Sequence, residues 1–580
     1  MTPKRLAQTT ARGCVATVAL LLAGCFGIFE TQDRGRRDLG VEPIQLDVAG
    51  NASFRDTIGS LAYYDGLRSL RVRGYGLVVA LGTNGSSDCP KRVFNELVER
   101  VRKSYDFVGT RIGDRTLPPE RVIRDVDTAV VMVQGDIPPG ALPGTTFDVR
   151  VTALPGTKTK SLRGGRLFTT DLEIFRITRH RGSISGRVFA RASGPVFLNP
   201  FSSDTAATRT SRLEATIPGG GVVKRGREVR LVLYDPSHVR AKRIQDRIND
   251  QFAGAYAVAD AVSPSYVKLS VPPAYRDDQG HFFALVRGLY LSRRASFAAT
   301  RARELQREML RPNARYGPIA LCLEGLGRDA LPVLDELYAH QNDAVSFHAA
   351  VAGIRLGSHI AADAMAIHAA DVDCTFRYQA IRALSKASGM ANAAGALRRL
   401  LDDVDPRVRV AAYEALVERG DPTINTTHLG TGSFTFDVVP STRPTIVYAR
   451  RYGTRRLAVL GRDPVCMPPV FYRAPDRSVT LTASAGDDAL TAIRVTPRGT
   501  VSPAIPAPRG LTDLIKFMGR AAGKQHEEVT GLGLDYTAVV GAVSGLCGDH
   551  SVDASFVLEQ PNAAEAFGPP RPEERPESDL

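Results

Sequence analysis

DIPPGALPGTTFDVRVTALPGTKTKSLRGGRLFTTDL, Asp136–Leu172, is the stretch on which the fold reading turns. Ile137-Pro138-Pro139-Gly140 and Pro143-Gly144 carry turn chemistry, Pro fixing φ and Gly supplying positive φ. Thr146 to Leu154 then alternates apolar and polar residues, the signature of a half-buried strand. Lys160-Ser161-Leu162-Arg163-Gly164-Gly165-Arg166-Leu167 is a second turn, and Leu167-Phe168-Thr169-Thr170 is strand-like again. A Gly pair after basic side chains can cradle a phosphate, but such loops pass from a strand into a helix N-terminus. Here a strand follows. Gly164 and Gly165 therefore read as a backbone turn that needs positive φ or the close approach of a neighbour.

The surroundings continue this pattern. Leu77–Leu81 and Thr128–Val133 are short apolar strands, and Gly74 and Gly76, around Tyr75, read as geometry at the start of the first. Val93–Val108 has helical periodicity. A strand at Val229–Leu233 leads through Asp235-Pro236-Ser237 into a helix from about Val239 to Phe252, with Ser237 as N-cap. Val267–Val271 and Phe282–Tyr290 read as further strands. Residues 51–292 thus form an α+β region.

Residues 296–420 change character to Ala/Leu/Arg-rich helix and contain a repeat. Asp343, Asp373 and Asp405 lie 30 and 32 residues apart. Seven residues after each comes Ala350, Ala380 or Ala412, and eleven after each comes Ile354, Leu384 or Leu416. In this reading Asp caps the second helix of each pair, the small Ala permits close helix contact and the aliphatic closes the pair. The pattern resembles HEAT-type repeats and defines a helical segment over 293–429. Asp402, Asp403 and Asp405 read as a solvated loop with a helix cap, not a metal site. Residues 430–560 return to strands at Thr445–Arg450, Arg456–Leu460 and Val479–Thr482, with a turn at Arg451-Tyr452-Gly453-Thr454. Helices at Leu511–Ala522 and Tyr536–Leu546 and a strand at Ala554–Leu558 follow.

Both ends differ from this body. Lys4, Arg5 and Arg12 precede a short apolar run, Val15–Ala23, and then Leu22-Ala23-Gly24-Cys25. That order reads as a secretory signal over residues 1–24, and its end resembles the bacterial lipobox, which implies acylation of the Cys25 thiol; the alternative is a plain signal peptide with a chance Cys. Phe26 in place of an Asp favours the outer membrane. Residues 25–50 read as a flexible tether, and 561–580, Pro-rich and acidic, as a disordered tail. Cys322 and Cys374, on helical faces, read as buried thiols. Cys466 and Cys547 are the best disulfide candidates in an oxidising compartment, with two buried thiols as the equal alternative.

Composition limits the function. The 580 residues carry 75 Lys+Arg against 61 Asp+Glu, a formal +14 spread along the chain, and no Trp. No apolar run of about 20 residues follows the N-terminus, so a polytopic membrane protein is not expected. The Walker, HExxH, CxxC and GxSxG patterns are missing, and the 10 His are scattered. No catalytic, metal or cofactor-binding residues are expected.

Several stretches together resemble the flagellar P-ring protein family. They are GLRSLRVRGYGLVVALGTNGS (Gly66–Ser86), the opening Asp136–Leu172 stretch with its SLRGG core, and Ile217-Pro218-Gly219-Gly220-Gly221 followed by DPSHVRAKRIQDRIND. PTIVYARRYGTRRLAVLGRD (Pro444–Asp463) and the LTDLIKFMGRAA and LGLDYTAVVGAVSGLCGDHSVDASFVLE segments continue the likeness after the repeats.

The resemblance implies an α+β, multidomain, β-rich ring-subunit scaffold, at 51–292 and 430–560, interrupted by an all-α HEAT-like insert. It implies a non-enzymatic subunit of a periplasmic ring around the flagellar rod. The partners would be further copies of the chain, rod and L-ring proteins, and the outer membrane through the lipid on Cys25, with no nucleic acid. Ser161, Leu162, Arg163, Gly164 and Gly165 are the assembly-turn candidates. The alternative is an envelope-tethered adaptor whose repeats bind one protein. Because both flanks resemble one continuous fold, the insert is also expected to be replaceable over 296–425 by a short linker.

Overall fold

The structure, a computed structural model, describes residues 52–559 apart from 104–110, 113–114, 117, 175, 179–181, 185–186, 199–211, 253, 255–256, 277, 431–433, 475–476, 497–498, 522–523, 526–527 and 530. The signal, Cys25, the tether and the acidic tail lie outside these residues.

A short helix α1 (Ile58–Leu61) leads into β1 (Ala62–Asp65) and then β2 (Leu70–Val79). Helix α2 (Lys91–Lys103) follows, then β3 (Ala129–Ile137), β4 (Thr146–Ala153), β5 (Arg166–Glu173), β6 (Val188–Pro195) and β7 (Glu214–Val223). β2 to β7 close into a barrel in the order β6-β7-β4-β3-β2-β5, every pairing antiparallel. Closure leaves no open edge, and alternate residues such as Val131, Val133, Val149 and Val151 fill the interior.

β8 (Val229–Leu233), α3 (His238–Gln251), β9 (Ala259–Ser263) and β10 (Tyr266–Leu269) build a second sheet, ordered β1-β8-β10-β9. Ser237 caps α3, its side chain accepting the Arg240 N–H, as the sequence indicates. The stretch expected as a strand, Phe282–Tyr290, is instead helix α4 (Gln279–Gly288). Phe282, Phe283, Leu285 and Val286 are all buried, because α4 is covered by the sheet on one side and by the repeats on the other. An apolar run buried on all sides has no periodicity to separate helix from strand.

The helical segment comprises α5 (Ala295–Met309), α6 (Tyr316–Leu326), α7 (Leu331–Asp335), α8 (Asp343–Arg355), α9 (His359–Ala370), α10 (Arg377–Ser385), α11 (Ala391–Leu400) and α12 (Pro406–Arg419). Ala350, Ala380 and Ala412 are fully buried, and Ile354, Leu384 and Leu416 lie in the same core. Of the three Asp, Asp405 alone is a cap, accepting the Arg407 N–H. Asn342 caps α8. α10 starts after Phe376 with no side-chain cap, three residues beyond Asp373, whose own N–H donates to Asp371 Oδ1 at 3.0 Å.

A feature the sequence reading passed over repeats at the same 32-residue spacing. Arg377 Nε donates to Ala369 O and Arg409 Nε to Leu401 O, each eight residues back. Arg377 also pairs with Asp403 of the next repeat at 2.5 Å.

β11 (Asn425–Leu429), β12 (Phe434–Val439), β13 (Ile446–Ala449) and β14 (Arg456–Leu460) follow the repeats. β15 (Val470–Arg473), β16 (Val479–Ala483), β17 (Leu490–Arg494) and β18 (Ile505–Ala507) form a separate four-stranded sheet. Helices α13 (Leu511–Gly519) and α14 (Tyr536–Gly548) and strand β19 (Ser555–Leu558) close the described chain.

In the sheet β11-β12-β14-β13-β19 the three middle strands are buried on both faces. Ile446, Tyr448, Ala458 and Leu460 enter the core of the repeats, while Val447, Ala449, Leu457 and Val459 enter the core of α13 and α14. The repeats are therefore not a removable insert. Their core also takes in Phe54 and Tyr290 of the first region. Two buried arginines tie the ends. Arg247 on α3 donates to Tyr290 O and Gly325 O, both at 2.8 Å. Arg409 on α12 reaches Pro444 O at 2.9 Å and Leu460 O at 3.2 Å. Replacing 296–425 by a linker would bare an apolar sheet face, so the expectation of a separable unit does not hold.

Candidate assembly site

The SLRGG turn is built from backbone, with one buried anchor. Leu162 is fully buried in the barrel core, and its N–H donates to Arg212 O at 3.0 Å. Gly165 N–H returns to Leu162 O at 3.2 Å, and the Gly165 carbonyl accepts Val196 N–H at 3.0 Å. Arg163 N–H is held by Ser161 Oγ at 3.2 Å. The two glycines serve different ends. Gly164 sits at φ +72° with open space around a Cβ, so it is needed for conformation. At Gly165 a Cβ would lie 2.5 Å from Val78 Cγ1 and 2.6 Å from Leu81 Cδ2, so it is needed for close packing on β2 of its own chain. Exposed Gly164 and Arg166 form the outer face of the turn, which runs into β5 and not a helix. The positive-φ and close-approach readings hold, divided between the two residues.

Gly74 and Gly76 are likewise geometry. A Cβ on them would meet Asp171 O at 2.2 Å and Thr170 Oγ1 at 2.4 Å, where β5 crosses β2 through a register shift between Arg73 and Val78.

Three of the quoted stretches meet at one carboxylate. Asp148, on the strand after the PPG turn, accepts Gly219 N–H at 2.6 Å. Gly219 lies at φ +62° in the bulge that interrupts the pairing of β7 with β4. Asp148 also accepts Gly453 N–H, at 3.2 and 3.1 Å from its two oxygens. Gly453 is the tip of the Arg451–Thr454 turn, more than 300 residues away. The same turn is gripped from the other side by Glu559, which accepts Arg451 N–H at 2.8 Å and Tyr452 N–H at 3.0 Å. Phe197 and Phe434 each set their rings 5.4 Å from Tyr536, whose OH donates to Arg450 O at 2.7 Å. The barrel and the C-terminal region are thus joined through a bulge, a hairpin turn and two carboxylates. Sequence reasoning did not single out Asp148 as the joint. Its signal was present in an acid alternating with buried Phe147 and Val149.

The remaining sites are structural. Asp402 accepts Thr442 N–H at 2.6 Å, which holds its carboxyl below the usual range, and it also receives Ser441 and Thr442 hydroxyls. Asp403 and Asp405 are engaged by Arg377, Arg407 and Tyr378. The cluster pins the last repeat to the strand that follows. Among the described residues no group of three or more His, Cys, Asp or Glu is placed to hold a metal. Ser346 Oγ lies 2.9 Å from His368 Nε2, with Cys374 Sγ 3.4 Å from Nδ1, but all three are buried core residues.

Cys466 and Cys547 are free thiols, buried in one core cluster. Burial pushes each up to about 11, and Cys547 is raised further by the neighbouring Cys466. A groove of about 430 Å³ lies among α4, α6, α8 and α10, floored by Leu321, Phe347 and Val351 and rimmed by Arg355 and Arg382. No helix among the described residues is long and apolar enough to cross a membrane.

The sequence model of the flagellar P-ring protein family matches residues 57–298, and that of HEAT repeats matches 363–425. A flagellar P-ring protein of Thermotoga petrophila is 30% identical over 253 residues, 42% of this chain and 69% of that protein. The chain belongs to the flagellar P-ring protein family. Flagellar P-ring proteins of Geobacter metallireducens and a Bradyrhizobium are 31% and 33% identical, over 39% of this chain and 59% and 58% of theirs. The chain therefore spans under two thirds of the length of these two P-ring proteins. The P-ring match ends within α5, so the likeness of 430–560 rests on its quoted residues. Asp148 binds one of those residues, Gly453, directly to the matched barrel.

Proposed function

We propose that the chain is a non-enzymatic structural subunit of the flagellar P ring, a periplasmic ring around the rod. Identical copies would pack through heterologous interfaces that close by rotation, with rod and L-ring proteins as neighbours. The observation that carries this reading is the barrel with its SLRGG turn, lying wholly inside the family match. Acylated Cys25 would anchor each copy to the outer membrane, and Cys466 and Cys547 would pair after export.

The test is made in the source organism. Basal bodies from a strain lacking this chain should have no ring at the P position, and cells should lose motility. In the same background Cys25→Ser should move the protein from the membrane to the soluble fraction. Intact rings without the chain would refute the proposal. The groove among α4, α6, α8 and α10 favours a second reading, an adaptor whose repeats hold a protein segment. A monomeric protein that captures one partner through this groove would support it.

A further inference from the structure

The two edges of the sheet β1-β8-β10-β9 are treated differently by the fold. At β9 the edge is covered by α3. Asn249 Oδ1 accepts the N–H groups of Val258 and Ala259 at 2.9 and 2.8 Å, and its Nδ2 donates to Ala259 O at 2.9 Å. Gln245 Oε1 accepts Ala261 N–H at 2.9 Å. Helix side chains thus occupy the backbone groups that an incoming strand would use.

At β1 no strand lies outside among the described residues. Tyr234 N–H donates to Leu61 O at 3.0 Å, and β1 pairs with β8 in the same register, Tyr63 against Val232 and Asp65 against Arg230. On β8, Leu233 turns its N–H the other way, to Ser265 O. By the alternation of an antiparallel ladder, Ala62 and Tyr64 therefore direct their N–H and C=O groups away from the sheet. Ala62 N–H is taken by Ile58 O at the end of α1, so the edge offered to a further strand is Ala62 O with the N–H and C=O of Tyr64. The faces are also distinct. Ala62 and Tyr64 belong to the core beneath α3 and α4, while Tyr63 is 46% exposed and lies 5.5 Å from exposed Tyr234.

The sequence holds a stretch whose pattern fits this edge. Ile44-Gln45-Leu46-Asp47-Val48 alternates apolar and polar residues without a break and ends shortly before Ala52. Laid along β1, Ile44, Leu46 and Val48 would extend the apolar inner face, and Gln45 and Asp47 would join the polar outer face. Only Ala49–Asn51 separate this stretch from Ala52, so the tie spans about 10 Å. Nine residues, 53–61, including α1, separate Ala52 from β1. The short tie holds the stretch at its own chain's entry and favours the β1 of an adjacent copy.

We infer that residues 44–48 of one copy add as an edge strand to β1 of the next, a head-to-tail contact that repeats around an assembly. The inference rests on the ring reading above. It also gives residues 25–50 a second duty beside reaching the membrane.

The test uses the full lipidated protein in detergent with Cys89→Ser, which leaves the other described cysteines buried. One preparation carries Gln45→Cys and another carries Tyr63→Cys. After circular dichroism shows both folded, they are mixed with a short bis-maleimide. Covalent dimers should form in the mixture and in neither preparation alone. A parallel mixture with Asp47→Cys covers the neighbouring register. Leu46→Pro, placed in the donor, should reduce dimer yield at least tenfold. Electron microscopy of the same samples separates the outcomes. Rings without cross-links overturn the strand contact and leave the ring reading intact. A cross-link confined to single chains of a Gln45→Cys, Tyr63→Cys double variant assigns the strand to its own copy and overturns the inference. Dispersed monomers without cross-links overturn both.

Discussion

Asp148 is one carboxylate shared by two glycine N–H groups that belong to different regions of the chain. Removing it leaves both donors without their charged acceptor in a half-buried joint. Asp148→Ala should therefore cost about 2 kcal/mol, and Asp148→Asn, which keeps one acceptor, should cost less. Urea denaturation of the two variants beside the parent checks the order. At the same scale, Cys466 and Cys547 offer a clean readout. If they pair in the oxidising envelope, electrons pass to a disulfide oxidant and the loop of roughly 80 residues adds about 4 kcal/mol in the chain-entropy model. Non-reducing peptide mapping should recover the two cysteine peptides joined. Recovery of both thiols free would assign them as core residues only.

Among the elements, the repeats depart furthest from expectation. Legible in the sequence were the strands with period-two alternation, the Ser237 cap, the Ala and aliphatic positions of the repeats and the C-terminal helices. Two misreadings share one physical cause. Phe282–Tyr290 read as a strand because every residue of α4 near its centre is buried, and β13 gave no hint of its second face because Ile446 to Ala449 are buried on both sides. Burial from all directions erases the periodicity that marks a single buried face. The same hidden contact misled the reading of the insert as removable, since sequence order cannot show that Tyr448 and Leu460 lie in the repeat core. The Gly pair was legible as a turn, but its division of labour was not, because Val78 and Leu81 approach from distant sequence. A chain in which Gly-Ser residues replace 296–425 should be insoluble or should expose apolar surface. Fluorescent-dye binding and size-exclusion chromatography would show this. A soluble, monodisperse deletion variant would contradict the shared core.

At the scale of the whole molecule, the barrel, the repeats and the C-terminal sheets form one continuous body. Arg247, Asp148 and Arg409 bond across its seams. Such a body suits a subunit that must hold its shape while copies press against it. The formal +14 charge of the chain, +11 once cleavage before Cys25 removes Lys4, Arg5 and Arg12 (14 − 3), opposes close packing of copies at long range, but a Debye length of ~8 Å at physiological salt screens it. In the proposed ring, assembly would come from short-range contacts on rigid elements, for which the outer face of the SLRGG turn and the outer edge of β1 are the candidates. The most direct test is electron microscopy of the purified, lipidated full-length protein at physiological salt. Closed rings of uniform diameter should form and persist when salt is raised from low to physiological levels. A population of single particles at every salt and protein concentration would contradict it.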